Sequence, residues 1–237
     1  MKLVIFAGGL GTRISEETDT IPKPMVKIGK KPILWHIIKY YSVFGFSEFI
    51  ICGGYKMNII KDYFNKSKNK TSFNVKVIDT GIKSNTGERL RKVRTYLNDT
   101  FCLTYGDGLS NVNLDKLIKF HIKNKSIATL TTVKPIPHFG KIIFEGNKVV
   151  KFLEKDQNKE NWINGGFFVC EKEIFNYLNK KNTIFEKDTL PLLATKKKLS
   201  AYKHKDFWYC MDTLRDKRHL NNLWFSKKAP WKIWKDE

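Results

Sequence analysis

A short apolar strand followed by a glycine-rich loop begins the chain, and this pair constrains the fold more than any other feature. The strand runs from Leu3 to Ala7 and is apolar throughout. A strand without a polar face is typical of the interior of a parallel sheet, where helices cover both sides. The loop after it contains Gly8, Gly9 and Gly11. Because glycine lets the backbone turn sharply and approach a ligand closely, the pair predicts an α/β fold with a ligand beyond its first strand.

The loop has the properties of a polyphosphate site. Successive backbone N–H groups in such a loop form a concavity that binds anions, and Arg13 adds a planar cation. Lys23 lies between Pro22 and Pro24, which hold its segment extended and supply a second cation. The pattern matches neither the dinucleotide fingerprint nor the Walker loop. A glycine turn that binds nothing is the alternative interpretation.

The order of predicted elements indicates one domain over residues 1–237. Strands alternate with helices as far as Val133, which predicts a Rossmann-like, doubly wound, mixed but mainly parallel sheet. We expect residues 1–133 to form the nucleotide-binding half, and residues 134–237 the acceptor-binding half with a C-terminal helix. One helix is predicted from Thr86 to about Leu97, with Arg89 on an exposed face. The tail after Ala229 is expected on the surface or on a neighbouring subunit.

Charge and composition narrow the classes of partner. The 44 lysines and arginines against 23 aspartates and glutamates give a formal charge of +21. Such an excess attracts nucleic acid, anionic membranes or anionic substrates. The lysines are scattered and form no long basic arm, so we expect a solvated basic surface and no nucleic-acid partner. A basic nucleic-acid-binding module is the non-enzyme alternative.

Two further features concern location. The sequence has no apolar run of membrane-spanning length and does not begin like a signal peptide, so we expect no membrane insertion and a cytoplasmic protein. Cys52, Cys102, Cys170 and Cys210 lack the spacing of a zinc or redox motif, which predicts reduced thiols.

Two aspartates follow predicted strands and suggest a metal site. Asp107 lies between two glycines after the strand that ends at Tyr105, and Asp212 follows the strand that ends at Met211. Because the ligands of an open α/β sheet bind beyond the carboxyl ends of its strands, we expect both carboxylates near the glycine loop. Mg²⁺ prefers a few carboxylates together with substrate phosphates. The alternatives are a turn aspartate and a helix cap.

Several ordered motifs resemble a known family. The loop Gly8-Gly9-Leu10-Gly11-Thr12-Arg13 with Lys23-Pro24-Met25 resembles the sugar-phosphate nucleotidylyltransferases. Further stretches resemble its glucose-1-phosphate cytidylyltransferase branch: Lys31 to Ile37, Thr104 to Gly108, Ile163 to Val169 and Met211 to Lys217. The resemblance implies a nucleotide-diphospho-sugar transferase fold. It also implies transfer of CMP from CTP to a phosphorylated acceptor such as glucose 1-phosphate, with release of pyrophosphate. The product would be a CDP-activated precursor for surface polysaccharide, such as a capsule.

The resemblance also implies roles for individual residues. Asp107 and Asp212 would hold Mg²⁺, and Arg13, Lys23 and Asp107 would be catalytic. The residues expected to bind the nucleotide are Leu3, Ala7, Gly8, Gly9, Gly11, Thr12, Arg13, Lys23, Thr86, Gly87 and Asp107. The residues expected to bind the acceptor are Gly108, His138, Gly140, Glu154, Lys155, Asn164 and Gly165.

Two departures from the family pattern leave the acceptor open. The family's long insertion before Val77 is replaced by a short segment, and Glu88 stands where the family usually has glycine. A phosphorylated amino acid, phosphocholine or a phosphonate is the alternative acceptor, and uridylyl or thymidylyl transfer is the alternative chemistry. The expected partners are CTP and a phosphorylated small molecule, and a homo-oligomer is compatible with the sequence.

Overall fold

The computed structural model describes residues 1–67, 73–135, 141–154, 162–178 and 181–235 of the chain. Its strands are β1 (Lys2–Ala7), β2 (Lys27–Ile28), β3 (Lys31–Pro32), β4 (Glu48–Gly53), β5 (Asn74–Asp79), β6 (Phe101–Tyr105), β7 (Gly108–Ser110), β8 (Ala128–Val133), β9 (Lys141–Glu145), β10 (Lys148–Leu153), β11 (Ile163–Cys170), β12 (Leu199–Lys203) and β13 (Trp208–Cys210). Its α-helices are α1 (Ser15–Thr18), α2 (Ile33–Val43), α3 (Met57–Ser67), α4 (Thr86–Lys92), α5 (Leu114–Asn124), α6 (Leu190–Thr195) and α7 (Leu214–Phe225). Short 3₁₀ or π turns lie at Thr12–Ile14, Lys23–Met25, Arg94–Tyr96, Lys172–Tyr177 and Phe185–Thr189.

A mixed, mainly parallel sheet forms the centre of the molecule. Over the described residues it has seven strands in the order β12-β8-β11-β6-β1-β4-β5. Strand β11 runs antiparallel to its neighbours β6 and β8, whereas the other neighbouring pairs of the sheet are parallel. The predicted Rossmann-like sheet is therefore confirmed, and β1 lies in its interior.

Helices cover both faces of the sheet, as the uniformly apolar β1 requires. Successive residues of a strand point to opposite faces, so its side chains enter two separate cores. Leu3 and Ile5 belong to one hydrophobic cluster with residues of α2, α3, α5 and α7. Val4 and Phe6 belong to the other, with residues of α4 and α6. Burial on both faces fixes β1 firmly, and with it the start of the glycine loop.

The C-terminal tail packs into the core of its own chain, which corrects the expected surface or intersubunit position. Trp231 is fully buried, and its indole N–H donates to Nδ1 of His36 at 3.4 Å. The other ring nitrogen of His36, Nε2, donates to the carbonyl of Ile28 at 2.9 Å. The rings of Trp224 and Trp234 also contact His36. Burial lowers the pKa of His36 to about 4, so the imidazole is neutral at pH 7.

The helix that begins at Thr86 differs from its prediction in two respects. It ends at Lys92 rather than near Leu97, and a 3₁₀ turn follows at Arg94–Tyr96. The predicted exposure of Arg89 is wrong, since only 4% of this residue is accessible to solvent. Arg89 is buried because its guanidinium donates to oxygen acceptors beneath the glycine loop. These hydrogen bonds are described with the site.

Two further observations concern location and the thiols. Across the described ranges, we find no helix with both the length and the apolar character that crossing a bilayer requires. The cysteines are free thiols, as predicted, with Cys52, Cys102 and Cys170 buried and Cys210 partly buried.

Candidate active site

A cleft opens where the carboxyl ends of β1 and β6 meet. These strands are parallel, so the loops that follow them lie at one edge of the sheet. The cleft has a volume of about 400 Å³. Several residues expected to bind nucleotide or metal line it: Ala7, Gly8, Gly9, Gly11, Lys23, Thr86 and Asp107. The fold thus brings the glycine loop, the second cation and one carboxylate to the same cavity.

Asp107 and Asp212 lie together although they are far apart in the sequence. Asp107 is in the turn between β6 and β7, and β7 pairs with β13 so that Gly108 lies opposite Cys210. The backbone N–H of Met211 donates to the carbonyl of Asp107 at 2.9 Å. This pairing carries Asp212 to the same edge of the cleft as Asp107.

Lys23 bridges the two carboxylates. Its Nζ lies 2.6 Å from Oδ2 of Asp107 and 2.7 Å from Oδ1 of Asp212. Burial disfavours the charged ammonium, but the charge of Asp107 and the hydrogen bonds to both aspartates outweigh it. The pKa of Lys23 is therefore raised above its ordinary value. The two carboxylates thus face a permanent positive charge.

The same group has the donors that a divalent cation needs. One oxygen each from Asp107 and Asp212 and the Sγ of Cys210 lie within 4.8 Å of one another. Two carboxylates beside a phosphate-binding loop suit a hard cation that also takes substrate oxygens. Burial and the charges of Asp107 and Asp212 raise the pKa of the Cys210 thiol, so this sulfur is a poor donor to a hard cation. We conclude that the aspartates fit a divalent metal.

Arg89 supports the glycine loop from below, and sequence reasoning missed it. Its Nη2 donates to the carbonyls of Gly8 at 2.8 Å and Ile82 at 3.2 Å. Its Nη1 donates to the carbonyl of Gly53 at 3.0 Å and to Oγ1 of Thr80 at 2.7 Å. Burial lowers the pKa of this guanidinium from its very high ordinary value. One buried cation therefore ties the end of β1 to the end of β4 and to the loop before α4.

The support leaves no room for a side chain at Gly8. A Cβ placed there would lie 2.1 Å from Nη1 of Arg89. A Cβ at Gly54 would lie 2.6 Å from the carbonyl oxygen of Gly8. At Gly9, by contrast, a Cβ would meet nothing within 4 Å. Close packing, rather than loop flexibility, therefore explains the glycine at position 8.

A second group of polar contacts lies around Glu186, which lines the same cleft. The carboxylate of Glu186 accepts hydrogen bonds from Tyr105 Oη and from Thr86 Oγ1, both at 2.6 Å. Nδ2 of Asn164 donates to Tyr105 Oη at 3.2 Å. Burial, together with the charge of Glu186 and the hydrogen bond to it, raises the pKa of Tyr105 well above its ordinary value. The chain of contacts links Thr86, expected on the nucleotide side, to Asn164, expected on the acceptor side.

Glycines in β11 make the position of Asn164 possible. Gly166 has φ of +77°, and a Cβ there would lie 2.4 Å from the ring of Tyr105. Its N–H donates to Oδ1 of Asn164 at 2.8 Å. The carbonyl of Gly165 accepts from Nε1 of Trp208 at 2.7 Å. The pairing of β11 with β8 shifts register between Asn164 and Phe168, the stretch that contains both glycines.

The other residues predicted to bind nucleotide or acceptor differ in how deeply they are buried. Leu3 is fully buried below the cleft, and Thr12 is exposed at the start of a 3₁₀ turn. Gly87 packs against Thr183, and Glu154 is exposed at the end of β10. The side chain of Arg13 lies outside the described part of the chain, as do residues His138, Gly140 and Lys155.

Comparison with known proteins identifies the family to which the chain belongs. The sequence profile of the nucleotidyl transferases matches residues 2–236. The chain belongs to the nucleotidyl transferase family. As a member of this family it is an enzyme of the nucleotidyltransferase type, and the resemblance expected from its motifs is confirmed.

Relatives and a solved structure extend the match. The chain is 44% identical to glucose-1-phosphate cytidylyltransferase of Salmonella typhi, over 99% of this chain and 100% of that protein. It is 39% identical, with the same coverage, to the probable glucose-1-phosphate cytidylyltransferase of Bacillus subtilis strain 168. The crystal structure of HddC from Yersinia pseudotuberculosis complexed with GMP-PN superimposes with a TM-score of 0.74 at 25% identity, covering 94% of this chain and 99% of that one. The predicted nucleotide-diphospho-sugar transferase fold is confirmed.

Proposed function

We propose that this nucleotidyltransferase transfers CMP from CTP to glucose 1-phosphate and releases pyrophosphate. The observation that carries the proposal is the convergence of Asp107, Asp212 and Lys23 beside the glycine loop. The cytidylyltransferase names of the relatives over their full length support the choice of CTP and of the sugar phosphate. The product, a CDP-sugar, would serve as an activated precursor for surface polysaccharide such as a capsule.

The reaction is an in-line displacement at the α-phosphorus. An oxygen of the acceptor phosphate forms the new P–O bond while the bond to pyrophosphate breaks. Transfer of this kind depends on alignment and on stabilisation of charge more than on a covalent nucleophile. Mg²⁺ held by Asp107 and Asp212 would neutralise charge on the α-phosphate and help to orient the two phosphates.

The chain's own residues would supply the remaining alignment. Lys23 and Arg13 would neutralise the triphosphate. The backbone around Gly8 and Gly11 would hold the phosphates, and Arg89 would keep that backbone in place through the carbonyl of Gly8.

On the acceptor side the proposal rests on the family resemblance. Asn164, Glu154 and the backbone around Gly165 would orient the sugar, and Lys155 would bind its phosphate. His138 and Gly140 remain predicted acceptor contacts. A cytoplasmic location and a homo-oligomer also remain predictions.

A two-dimensional screen tests the proposal. Pyrophosphate release would be measured with each of the four ribonucleoside triphosphates and with dTTP, against a panel of phosphorylated acceptors. The panel contains glucose 1-phosphate, other sugar 1-phosphates, phosphocholine, a phosphonate and a phosphorylated amino acid. We expect the fastest turnover with CTP and glucose 1-phosphate. Absence of turnover with every CTP pair would refute cytidylyl transfer, and a preference for UTP or dTTP would assign the alternative chemistry.

A further inference from the structure

We propose that Glu186 makes the nucleotide cleft selective for cytosine over uracil by fixing the hydroxyl of Thr86 as a hydrogen-bond acceptor. The inference deepens the proposed function and rests on it, since it assigns a residue to the choice of CTP. Glu186 and Thr86 both line the cleft that contains the glycine loop. Thr86 lines the cleft together with Gly8 and Gly9, and the family resemblance implies that it flanks the base and ribose of the nucleotide.

The hydrogen atoms around Thr86 can be counted. A threonine hydroxyl has one proton to donate and two lone pairs that accept. The proton is directed at Oε2 of Glu186, which lies 2.6 Å from Oγ1 of Thr86. One lone pair accepts the backbone N–H of Phe185 at 2.9 Å. The hydroxyl therefore has one lone pair left for a ligand and no proton.

The direction of these bonds is imposed by Glu186. A carboxylate has no proton to give, so each hydroxyl that contacts it must donate. Oε1 of Glu186 takes the proton of Tyr105 at 2.6 Å, and the oxygen of Tyr105 accepts from Nδ2 of Asn164 at 3.2 Å. The network runs in one sense from Asn164 to Glu186, and no rearrangement of protons frees the hydroxyl of Thr86 to donate.

The neighbouring hydroxyl of Ser84 does not compensate. It donates to the carbonyl of Thr80 and accepts from Nζ of Lys92 at 3.1 Å. Its proton is thus also committed within the protein. The hydroxyls of Ser84, Thr86 and Tyr105 all line the cleft, and none of them has a proton left for a base.

This arrangement distinguishes the pyrimidines by their chemistry. Cytosine carries an amino group at C4, which donates, whereas uracil and thymine carry a carbonyl oxygen there, which accepts. The amino group can bond to the free lone pair of Thr86. A carbonyl in its place would face a second acceptor and leave both groups unpaired. A mismatch of this kind in a partly buried site typically costs about 10- to 100-fold in affinity.

Isothermal titration calorimetry of CTP and UTP binding, with Mg²⁺ and without acceptor, tests the inference on the full chain. We expect the wild-type protein to bind CTP about 10- to 100-fold more tightly than UTP. Thr86→Val removes the accepting oxygen, so CTP binding should weaken while UTP binding changes little. Thr86→Ser keeps the hydroxyl and should keep the preference.

Glu186→Gln gives the sharper result because it reverses one hydrogen bond. Tyr105 still needs an acceptor, so the amide oxygen of the new side chain should face Tyr105 and its N–H should face Thr86. The hydroxyl proton of Thr86 is then free for the base, and the ratio of CTP to UTP affinity should fall at least 10-fold. Tyr105→Phe removes the other bond to the same carboxylate but leaves the Thr86 contact, so the ratio should be retained.

The outcomes separate this inference from the proposed function. If Thr86→Val and Glu186→Gln both keep the wild-type ratio of CTP to UTP affinity while the wild type turns over CTP, only the role of Glu186 is overturned. If Tyr105→Phe loses the ratio of CTP to UTP affinity as much as Glu186→Gln does, the role of Glu186 is also overturned. General disruption of the hydrogen-bond network would then explain the loss. A wild-type protein that binds UTP as tightly as CTP overturns this inference, whereas the proposed function is decided by the turnover screen.

Discussion

The floor of the cleft at the glycine loop and the β9–β10 hairpin are stabilised in different ways. At the floor, a single buried arginine donates to four oxygens from three separate segments, and a glycine packs directly against it. In the hairpin, Phe144 and Phe152 each leave 61% of their surface exposed. One region is fixed by contacts between distant parts of the chain, and the other by pairing between neighbours in sequence.

The difference between the two regions shows where atoms must be positioned accurately. Displacement at phosphorus depends on accurately placed donors and charges. The buried hydrogen bonds of Arg89 hold the backbone of the glycine loop in place. The hairpin needs only its own ladder, which register pairs such as Val149 with Phe144 provide. We therefore expect small changes at the cleft to cost much and larger changes in the hairpin to cost little.

The largest effect is expected for Asp107→Asn. The change keeps the size of the side chain but removes the charge that faces Lys23 and would hold the metal. Turnover should fall by about 10³-fold, while circular dichroism and melting temperature change little. Asp115→Asn, at an exposed position in the first turn of α5, is the matched control and should retain activity. Near-normal turnover in the Asp107 variant would contradict the metal role.

Next in size is Gly8→Ala, which places a methyl group against Arg89. A Cβ 2.1 Å from the guanidinium forces the arginine or the loop to move, so the free energy of unfolding should fall by about 1–3 kcal/mol. Turnover should fall as well. Chemical denaturation measures the first effect, and Gly9→Ala, with open space around its Cβ, should leave stability unchanged. Equal stability of the two variants would show that Arg89 does not hold the loop rigidly.

A third prediction concerns the C-terminal tail, which packs on His36. His36 has a pKa of about 4 when folded and an ordinary value of 6.5, so the unfolded chain binds more protons between these pH values. The contribution of His36 to the free energy of unfolding is complete above about pH 6.5. It is lost as the pH falls towards 4, by up to about 1.4 kcal/mol per pH unit. Denaturation from pH 7 to 4.5 should show a smaller fall for His36→Gln than for the wild type. His219→Gln, at an exposed position, is the control for the loss of a histidine.

The smallest effects are expected in the hairpin. Phe144→Ala and Phe152→Ala remove rings that are mostly exposed, so the free energy of unfolding should change by about 0.5 kcal/mol or less. Phe168→Ala, at a fully buried position of β11, is the matched comparison and should cost about 3–5 kcal/mol. If a hairpin variant were as unstable as the Phe168 variant, the contrast between the two regions would fail.

Much of the fold and part of the site could be predicted from the sequence. The apolar β1 implied a parallel sheet with two covered faces, and the structure has two cores on either side of it. The glycine loop, Asp107 and Asp212 were expected at one edge of the sheet because ligands of such a sheet bind beyond the carboxyl ends of its strands. These features depend on local pattern and on general rules of topology, so they need no knowledge of particular contacts.

Only the tertiary structure shows the contacts of Arg89 and Glu186. Arg89 occurs in a run of basic residues, and nothing in that run distinguishes a buried guanidinium from a solvated one. It is buried because backbone carbonyls from separate loops converge on it, and such carbonyls have no sequence pattern. Glu186 likewise stands in a charged stretch, and its contact with Thr86 spans 100 positions. Sequence determines which groups are available, whereas the direction of each hydrogen bond depends on which groups the fold brings within reach.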